Sequence, residues 1–126
     1  PPRSTLFPYT TLFRSNAHYA DSSDNHTMMG AASYKLKQGK FSDAFHLFEL
    51  EWDANEIKWF VDGEQYASMP ILSEELSEFH KDFFILLNIA VGGTHAGRPG
   101  ANSSFPQYMY IDWVRVYKKR VGSDLL

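Results

Sequence analysis

The sequence predicts an all-β fold, a sandwich or a barrel. Short runs of alternating apolar and polar residues recur at hairpin spacing, and turn signals such as Asp62-Gly63 separate them. Only residues 73–80 have the pattern of a helix. Single all-β domains often run to roughly 200 to 250 residues, whereas this chain has 126. We therefore expect a truncated half of a sandwich.

The N-terminal segment stands apart from the rest of the chain. Residues 5–15 contain the triplet Thr-Leu-Phe twice and resemble the translation of a sequencing adapter. We expect residues 1–15 to be a non-native, disordered segment; the alternative is a native disordered terminus or edge strand. The domain is then expected to span residues 16–119, followed by a tail, residues 120–126.

Alternation places the first strands in order along the chain. One strand is expected to end at His18 and Tyr19, before a polar loop at residues 21–29. Further strands are expected at residues 31–36, 43–52, 57–61 and from residue 65. The even-numbered residues of the 43–52 strand should form its apolar face. In the turn after it, Asn55 is expected to take a left-handed conformation.

Two apolar strands and one helix are expected in the second half. Ser73 is expected to cap the helix at residues 73–80, with Leu72, Leu76 and Phe79 on one side. Residues 83–93 should form a central strand that is apolar on both faces and stopped by a glycine pair. Residues 107–118 should form a long last strand.

Two polar residues interrupt these apolar strands. Asn88 must be hydrogen-bonded inside a core or face a polar cleft, because an unpaired buried amide is costly. Asp112 falls within an apolar row of the last strand, so we expect its carboxylate to be paired or to bind a metal.

Composition excludes several classes of function. The net charge is −3 and the sequence has no basic stripe, which argues against nucleic acid as a partner. The absence of cysteine excludes disulfides and thiolate metal sites. No apolar run reaches the roughly 18 residues that a membrane span needs, and the histidines lack zinc-site spacing.

Four motifs in order carry a family resemblance: residues 51–53 (EWD), 57–63 (IKWFVDG), 87–93 (LNIAVGG) and 105–117 (FPQYMYIDWVRVY). Together they resemble the C-terminal half of glycoside hydrolase family 16, laminarinase-like endo-β-1,3-glucanases. The resemblance implies a concanavalin A-like jelly-roll β-sandwich from an extracellular or periplasmic enzyme. It implies hydrolysis of β-1,3 or mixed β-1,3/1,4 glucans with retention, no cofactor for catalysis, β-glucan as partner, and a monomer when full length.

The same resemblance suggests site residues. His18 would lie in the substrate cleft; otherwise it is an exposed histidine. Asn88 would bind a sugar hydroxyl or satisfy a bulge in the sheet. His95 would replace a lost aromatic platform with a polar contact, unless it is an ordinary loop residue. Asp112 would bind a structural calcium, with an inter-strand hydrogen bond as the alternative.

No catalytic residue is assigned. The family supplies its two working carboxyl groups from one strand with the pattern Glu-x-Asp-x-x-Glu, which we expect upstream and missing from this chain. Glu49, Glu51 and Asp53 alternate along one strand and are interpreted as a scaffold face rather than a catalytic one. The isolated chain should therefore be inactive. The alternative function is a non-catalytic β-glucan-binding protein of the same fold.

Overall fold

The structure, a computed structural model, describes residues 11–101 and 103–119, without the side chains of residues 30, 31, 95 and 96. Strands in this part form two antiparallel sheets, which confirms the all-β prediction. The strands are β1 (Leu12–Ala20), β2 (His26–Lys35), β3 (Phe48–Trp52), β4 (Glu56–Val61) and β5 (Glu64–Pro70). A 3₁₀ helix (Glu74–His80) and a short α1 (Gly93–Ala96) complete the elements. Neither helix has the length and apolar character to span a membrane.

The first sheet is the hairpin of β1 and β2. Leu12 pairs with Lys35 and Ala20 with His26, with a bulge between Ser15 and Ala17. The expected disorder of residues 1–15 does not hold for residues 12–15, which pair within β1; residues 1–10 lie outside the described residues. β2 also begins inside the predicted polar loop, because the hairpin closes at residues 20 and 26.

The second sheet has the strand order β3-β4-β5. The Asp62-Gly63 hairpin is confirmed: φ is 51° at Asp62 and 79° at Gly63, which suits a primed turn between twisted strands. The left-handed conformation predicted for Asn55 is wrong. That turn is instead held by Asp53, whose Oδ1 accepts hydrogen bonds from the backbone N–H groups of Asn55 and Glu56, at 2.7 and 3.1 Å.

The hydrophobic core lies between the two sheets. Alternation on β1 turns Ala17 and Tyr19 inward, and alternation on β4 does the same for Ile57 and Trp59. The buried cluster joins both sheets to the segment after β5; its members are Ala17, Tyr19, Ile57, Trp59, Met69, Ile71, Leu76 and Phe79. The predicted apolar face of β3 is confirmed in register, since Phe48, Leu50 and Trp52 pair with the inward residues of β4.

The helix predicted at residues 73–80 forms as a 3₁₀ helix. Leu76 and Phe79 are buried as expected, but Leu72 is exposed. The predicted cap is wrong in detail, because the Ser73 side chain makes no capping hydrogen bond and its backbone carbonyl accepts from Leu76 N–H instead. A short helix packed through two side chains covers one end of the core.

The two apolar strands predicted in the second half are wrong. Residues 82–91 and 103–119 contain no strand, and most of their side chains are exposed. The start of the first segment is anchored: the Phe83 ring lies 4.9 Å from that of Trp52 and stacks on Phe79. A strand that is apolar on both faces needs a layer on each side, and the described residues supply none around these segments.

Candidate functional site

One candidate surface is the solvent side of the β1–β2 hairpin, which we call the outer face. It is formed by Arg14, Asn16, His18, His26 and Met28, all exposed. The burial of Ala17 and Tyr19 on the other side of β1 forces the residues between and beside them outward. The same core packing that holds the hairpin therefore fixes which side chains face solvent.

A tight loop sets the register that brings the two histidines together. Asp21 Oδ1 accepts hydrogen bonds from the backbone N–H groups of Ser23 and Asn25, both at 2.9 Å. These backbone hydrogen bonds lower the pKa of Asp21 below its ordinary value, and Asp24 takes a left-handed conformation with φ 61°. Closure of this loop pairs Ala20 with His26 and thereby places His26 diagonally beside His18.

The two imidazoles of the outer face are hydrogen-bonded to each other. His18 Nδ1 lies 2.9 Å from His26 Nε2, and the ring planes differ by only 17°. The centroids are 5.1 Å apart; this exceeds the nitrogen separation by about the width of one ring, so the rings meet edge to edge. One nitrogen donates and the other accepts, which leaves His18 Nε2 and His26 Nδ1 for other partners.

The outer face presents groups that suit hydroxyl-rich ligands. Imidazole and amide side chains both donate and accept, and the Arg14 guanidinium donates. Because all of them are exposed, a ligand reaches them without displacing packed side chains. The prediction that His18 lies in a substrate cleft remains untested, but its side chain is accessible.

The other predicted site residues lie elsewhere. Asn88 is exposed on the strand-free segment after the 3₁₀ helix, so neither a buried partner nor a sheet bulge surrounds it. The backbone of His95 lies in α1, and its side chain is outside the described residues. None of the interactions among the described residues joins His18 to Asn88. Their shared role in one cleft therefore stays a prediction.

Asp112 does not occupy the buried position that the sequence argument required. It is exposed, and its neighbours Tyr110 and Val114 are about half exposed. Among the described residues, no group of three or more His, Asp or Glu side chains is arranged to hold a metal ion. The described residues therefore do not place a set of calcium ligands around Asp112, and no role is assigned to calcium.

The expectation that the catalytic pattern is missing from this chain is wrong for the sequence itself. Glu51, Asp53 and Glu56 match Glu-x-Asp-x-x-Glu letter for letter. The structure places this match across a turn, since Glu51 lies at the end of β3, Asp53 is in the turn and Glu56 begins β4. It is therefore not a single strand of the kind that presents the family's working carboxyl groups.

The chemistry around this match is that of a charged scaffold face. Lys58 Nζ lies 2.8 Å from Glu56 Oε1 and pairs across the sheet with Glu51. The hydrogen bond and charge of Glu56 raise the pKa of Lys58, with smaller contributions from Glu51 and Asp53. The backbone hydrogen bonds from Asn55 and Glu56 lower the pKa of Asp53. A general acid needs a raised carboxyl pKa, so Asp53 is poorly suited to protonate a leaving group.

The sequence analysis missed two histidines. His26 completes the pair on the outer face, and the spacing across a short polar loop was the signal for it. His46 Nδ1 lies 2.7 Å from Asp62 Oδ2, while Asp62 Oδ1 accepts from Leu47 N–H at 2.9 Å. His46 and Asp62 thus tie the entry of β3 to the β4–β5 hairpin, which is a structural role.

The family model of glycosyl hydrolases family 16 matches residues 9–115. The matched region includes residues 9–15, which the sequence analysis assigned to a non-native segment; the adapter resemblance stays a prediction. No solved structure matches the chain at a significant level.

Three relatives illustrate the similarity. A beta-glucanase of Rhodothermus marinus is 37% identical over 59% of this chain, and a glucan endo-1,3-beta-glucosidase A1 of Niallia circulans is 32% identical over 69%. A beta-1,3-glucan-binding protein of Penaeus monodon is 26% identical over 60% of the chain. The matches cover 29%, 14% and 26% of these relatives' lengths, respectively, so this chain spans less than a third of each.

Proposed function

Because the chain belongs to family 16 of the glycosyl hydrolases, we propose that it contributes β-glucan-binding surface to an extracellular or periplasmic glycoside hydrolase acting on β-1,3 or mixed β-1,3/1,4 glucans with retention. Relatives named for glucan hydrolysis support this assignment. The observation that carries the proposal is the outer face of β1 and β2, where exposed imidazole, amide and guanidinium groups lie together.

In this proposal, hydrogen bonds rather than ring stacking hold the sugar at the outer face. His18 Nε2 and His26 Nδ1 remain open to hydroxyl groups after the two rings have bonded to each other. Asn16 lies two residues from His18 on the same side of β1. Because the β1–β2 pairing fixes these groups relative to one another, little conformational freedom is lost when a polysaccharide binds.

The described residues contribute binding rather than bond cleavage. Retaining hydrolysis uses two carboxyl groups about 5 to 5.5 Å apart, one as nucleophile and one as acid. The pattern at Glu51, Asp53 and Glu56 is engaged with a turn and with Lys58. Hydrolysis by the parent protein would then need carboxyl groups outside the described residues, and the chain alone should be inactive.

A second candidate function is favoured by the relative from Penaeus monodon, which is named for binding β-1,3-glucan rather than for hydrolysis. In this alternative the parent protein keeps the sandwich and its binding face but cleaves nothing. The two functions share the surface described above and differ only in catalytic carboxyl groups.

Binding is tested by mixing the purified chain with insoluble β-1,3-glucan, with cellulose as the comparison polysaccharide, and measuring the protein left in solution. We expect retention on β-1,3-glucan. His18→Ala and Asn16→Ala should each weaken it by about three- to tenfold, equivalent to one lost hydrogen bond of about 0.5 to 1.5 kcal/mol. Asn55→Ala, in the β3–β4 turn of the other sheet, is the matched control and should bind like the parent sequence. Equal binding by all four proteins would overturn the assignment to the outer face.

Hydrolysis is tested by the release of reducing sugar from a soluble β-1,3-glucan. The chain alone should release none above a blank. If it does, comparing Glu51→Gln and Glu56→Gln with the parent sequence decides whether the turn carboxylates act, and a loss of activity in either variant would contradict the scaffold interpretation. The same assay on the parent protein separates the hydrolase from the binding protein.

A further inference from the structure

The edge-to-edge histidine pair has a donor geometry that a metal ion can use. His18 Nδ1 and His26 Nε2 are 2.9 Å apart. A metal bound to both nitrogens at about 2.0 to 2.1 Å would therefore have a nitrogen–metal–nitrogen angle of about 90°. Each exposed ring must turn by about 45°, the base angle of the triangle that joins the two nitrogens and the metal, to aim its lone pair at a common point outside the sheet. The proton that lies between the two nitrogens then moves to the other nitrogen of the ring that donates it, so both rings stay neutral when they bind the metal.

A third donor faces the same point. Met28 is the direct partner of His18 across the hairpin, and His26 lies two residues before Met28 on the same side of β2. Directly opposed residues have Cβ atoms about 4.5 to 5.5 Å apart, so the Met28 thioether is within reach of an ion held by the imidazoles. Met28 is 57% exposed, which means that no core packing is lost when its sulfur turns toward the ion.

We propose that His18, His26 and Met28 form a copper-binding site on the outer face, with Cu⁺ held by two imidazole nitrogens and one thioether sulfur. Imidazole and thioether are soft to borderline ligands that favour copper, whereas calcium and magnesium require oxygen. This site shares His18 and His26 with the proposed glucan-binding surface, so copper and sugar would compete for them.

The test is a competition for Cu⁺, kept reduced with ascorbate, between the purified full chain and the chromogenic chelator bicinchoninate. The chain should withdraw one copper per molecule. His18→Asn and His26→Asn should each weaken binding by at least about tenfold, equivalent to about 1.4 kcal/mol. Met28→Leu should weaken Cu⁺ binding by about threefold or more, while its neighbour Met29→Leu, which faces the other side of β2, should leave it unchanged. Ca²⁺ in excess should displace no copper.

Three results would overturn the site: no competition by the parent sequence, unchanged affinity in His18→Asn or His26→Asn, or equal effects of Met28→Leu and Met29→Leu. Thermal unfolding of each copper-free variant shows whether the fold is retained. Because the three side chains are exposed, we expect unfolding temperatures like that of the parent sequence, so any loss of copper reports on the ligands themselves.

Discussion

Similar side chains have opposite environments in the two halves of this chain. Ile71 is fully buried beside the second sheet, while Ile85 is 59% exposed; Val61 is fully buried, while Val116 is 80% exposed. Both regions contain strand-forming, apolar sequence. The difference is that the five paired strands each need cover on one side, whereas residues 83–91 and 105–117 need it on both. Hydrophobicity alone therefore did not decide burial.

Truncating a buried and an exposed isoleucine should give the largest difference in the free energy of unfolding. Ile71→Ala removes a fully buried side chain that joins the 3₁₀ helix to the sheets, and it should lower the free energy of unfolding by about 2 to 5 kcal/mol. Ile85→Ala should change it by no more than about 0.5 kcal/mol. Urea denaturation measures both. A cost for Ile85→Ala that approaches that of Ile71→Ala would mean that the second region is packed in solution.

The exposed apolar segments should also control self-association. Exposed patches of this kind promote contacts between molecules, so Leu86→Lys and Val116→Lys should lower the apparent mass in sedimentation experiments and raise solubility. Lys35→Leu, a change of opposite sense on the paired hairpin, serves as the comparison. If the parent chain sediments as a monomer at all concentrations, the apolar segments are covered in solution.

Two tyrosines test the hydrogen bond between the sheets. The Tyr66 hydroxyl on β5 is hydrogen-bonded to Ser15 Oγ on β1. Tyr66→Phe should therefore cost about 1 kcal/mol of stability, the typical worth of one hydrogen bond. Tyr117→Phe, in the exposed segment, should cost nothing measurable. Similar unfolding midpoints for the two variants would argue that the Ser15 contact does not contribute.

The smallest expected effect concerns acid stability. Partial burial tends to raise the pKa of Asp62, but hydrogen bonds from His46 and Leu47 N–H outweigh it, and the pKa lies below the ordinary 3.8. A lowered folded-state pKa means that the contribution is complete above pH 3.8 and is lost as the pH falls through the lower folded value. Since the carboxylate is 43% exposed, solvent screening limits the contribution to at most about 1 kcal/mol.

Asp62→Asn should therefore reduce stability at neutral pH and flatten its decline below pH 3.8. Asp112→Asn is the comparison at neutral pH, because Asp112 has no hydrogen bond or ion pair among the described interactions, and it should leave the free energy of unfolding there unchanged. Chemical denaturation between pH 2 and 7, a range chosen to bracket carboxyl titration at about pH 4, measures both. Identical profiles for Asp62→Asn and the parent sequence would show that His46 does not hold this carboxylate.

Local signals predicted the elements whose stability is local. Asp62-Gly63 specified its hairpin because few other dipeptides take those dihedral angles, and alternation along residues 43–52 specified which residues of β3 pair with the inward residues of β4. The turn at Asp53 differs from the predicted one. The Asp53 side chain accepts hydrogen bonds from the backbone, so the turn forms without a left-handed Asn55. At Ser73, likewise, the backbone carbonyl rather than the side chain accepts the hydrogen bond at the start of the helix.

The candidate site was only partly predictable. His18 was recognised through a family resemblance, but His26 became its partner only through the closure of the Asp21 loop. Glu51, Asp53 and Glu56 match the catalytic pattern in sequence, but they lie on both sides of a turn and therefore lack its geometry.

By itself the sequence determined the all-β class, the Asp62-Gly63 hairpin turn and the family, because alternation, turn residues and motif order are properties of the chain. Only the tertiary structure decided which apolar residues are buried and which polar residues meet. Burial depends on a second layer being present: Asp112 and Asn88 were argued from a core that the described residues do not build around them. Contacts such as His18 with His26 depend on the register between strands, which no single segment encodes.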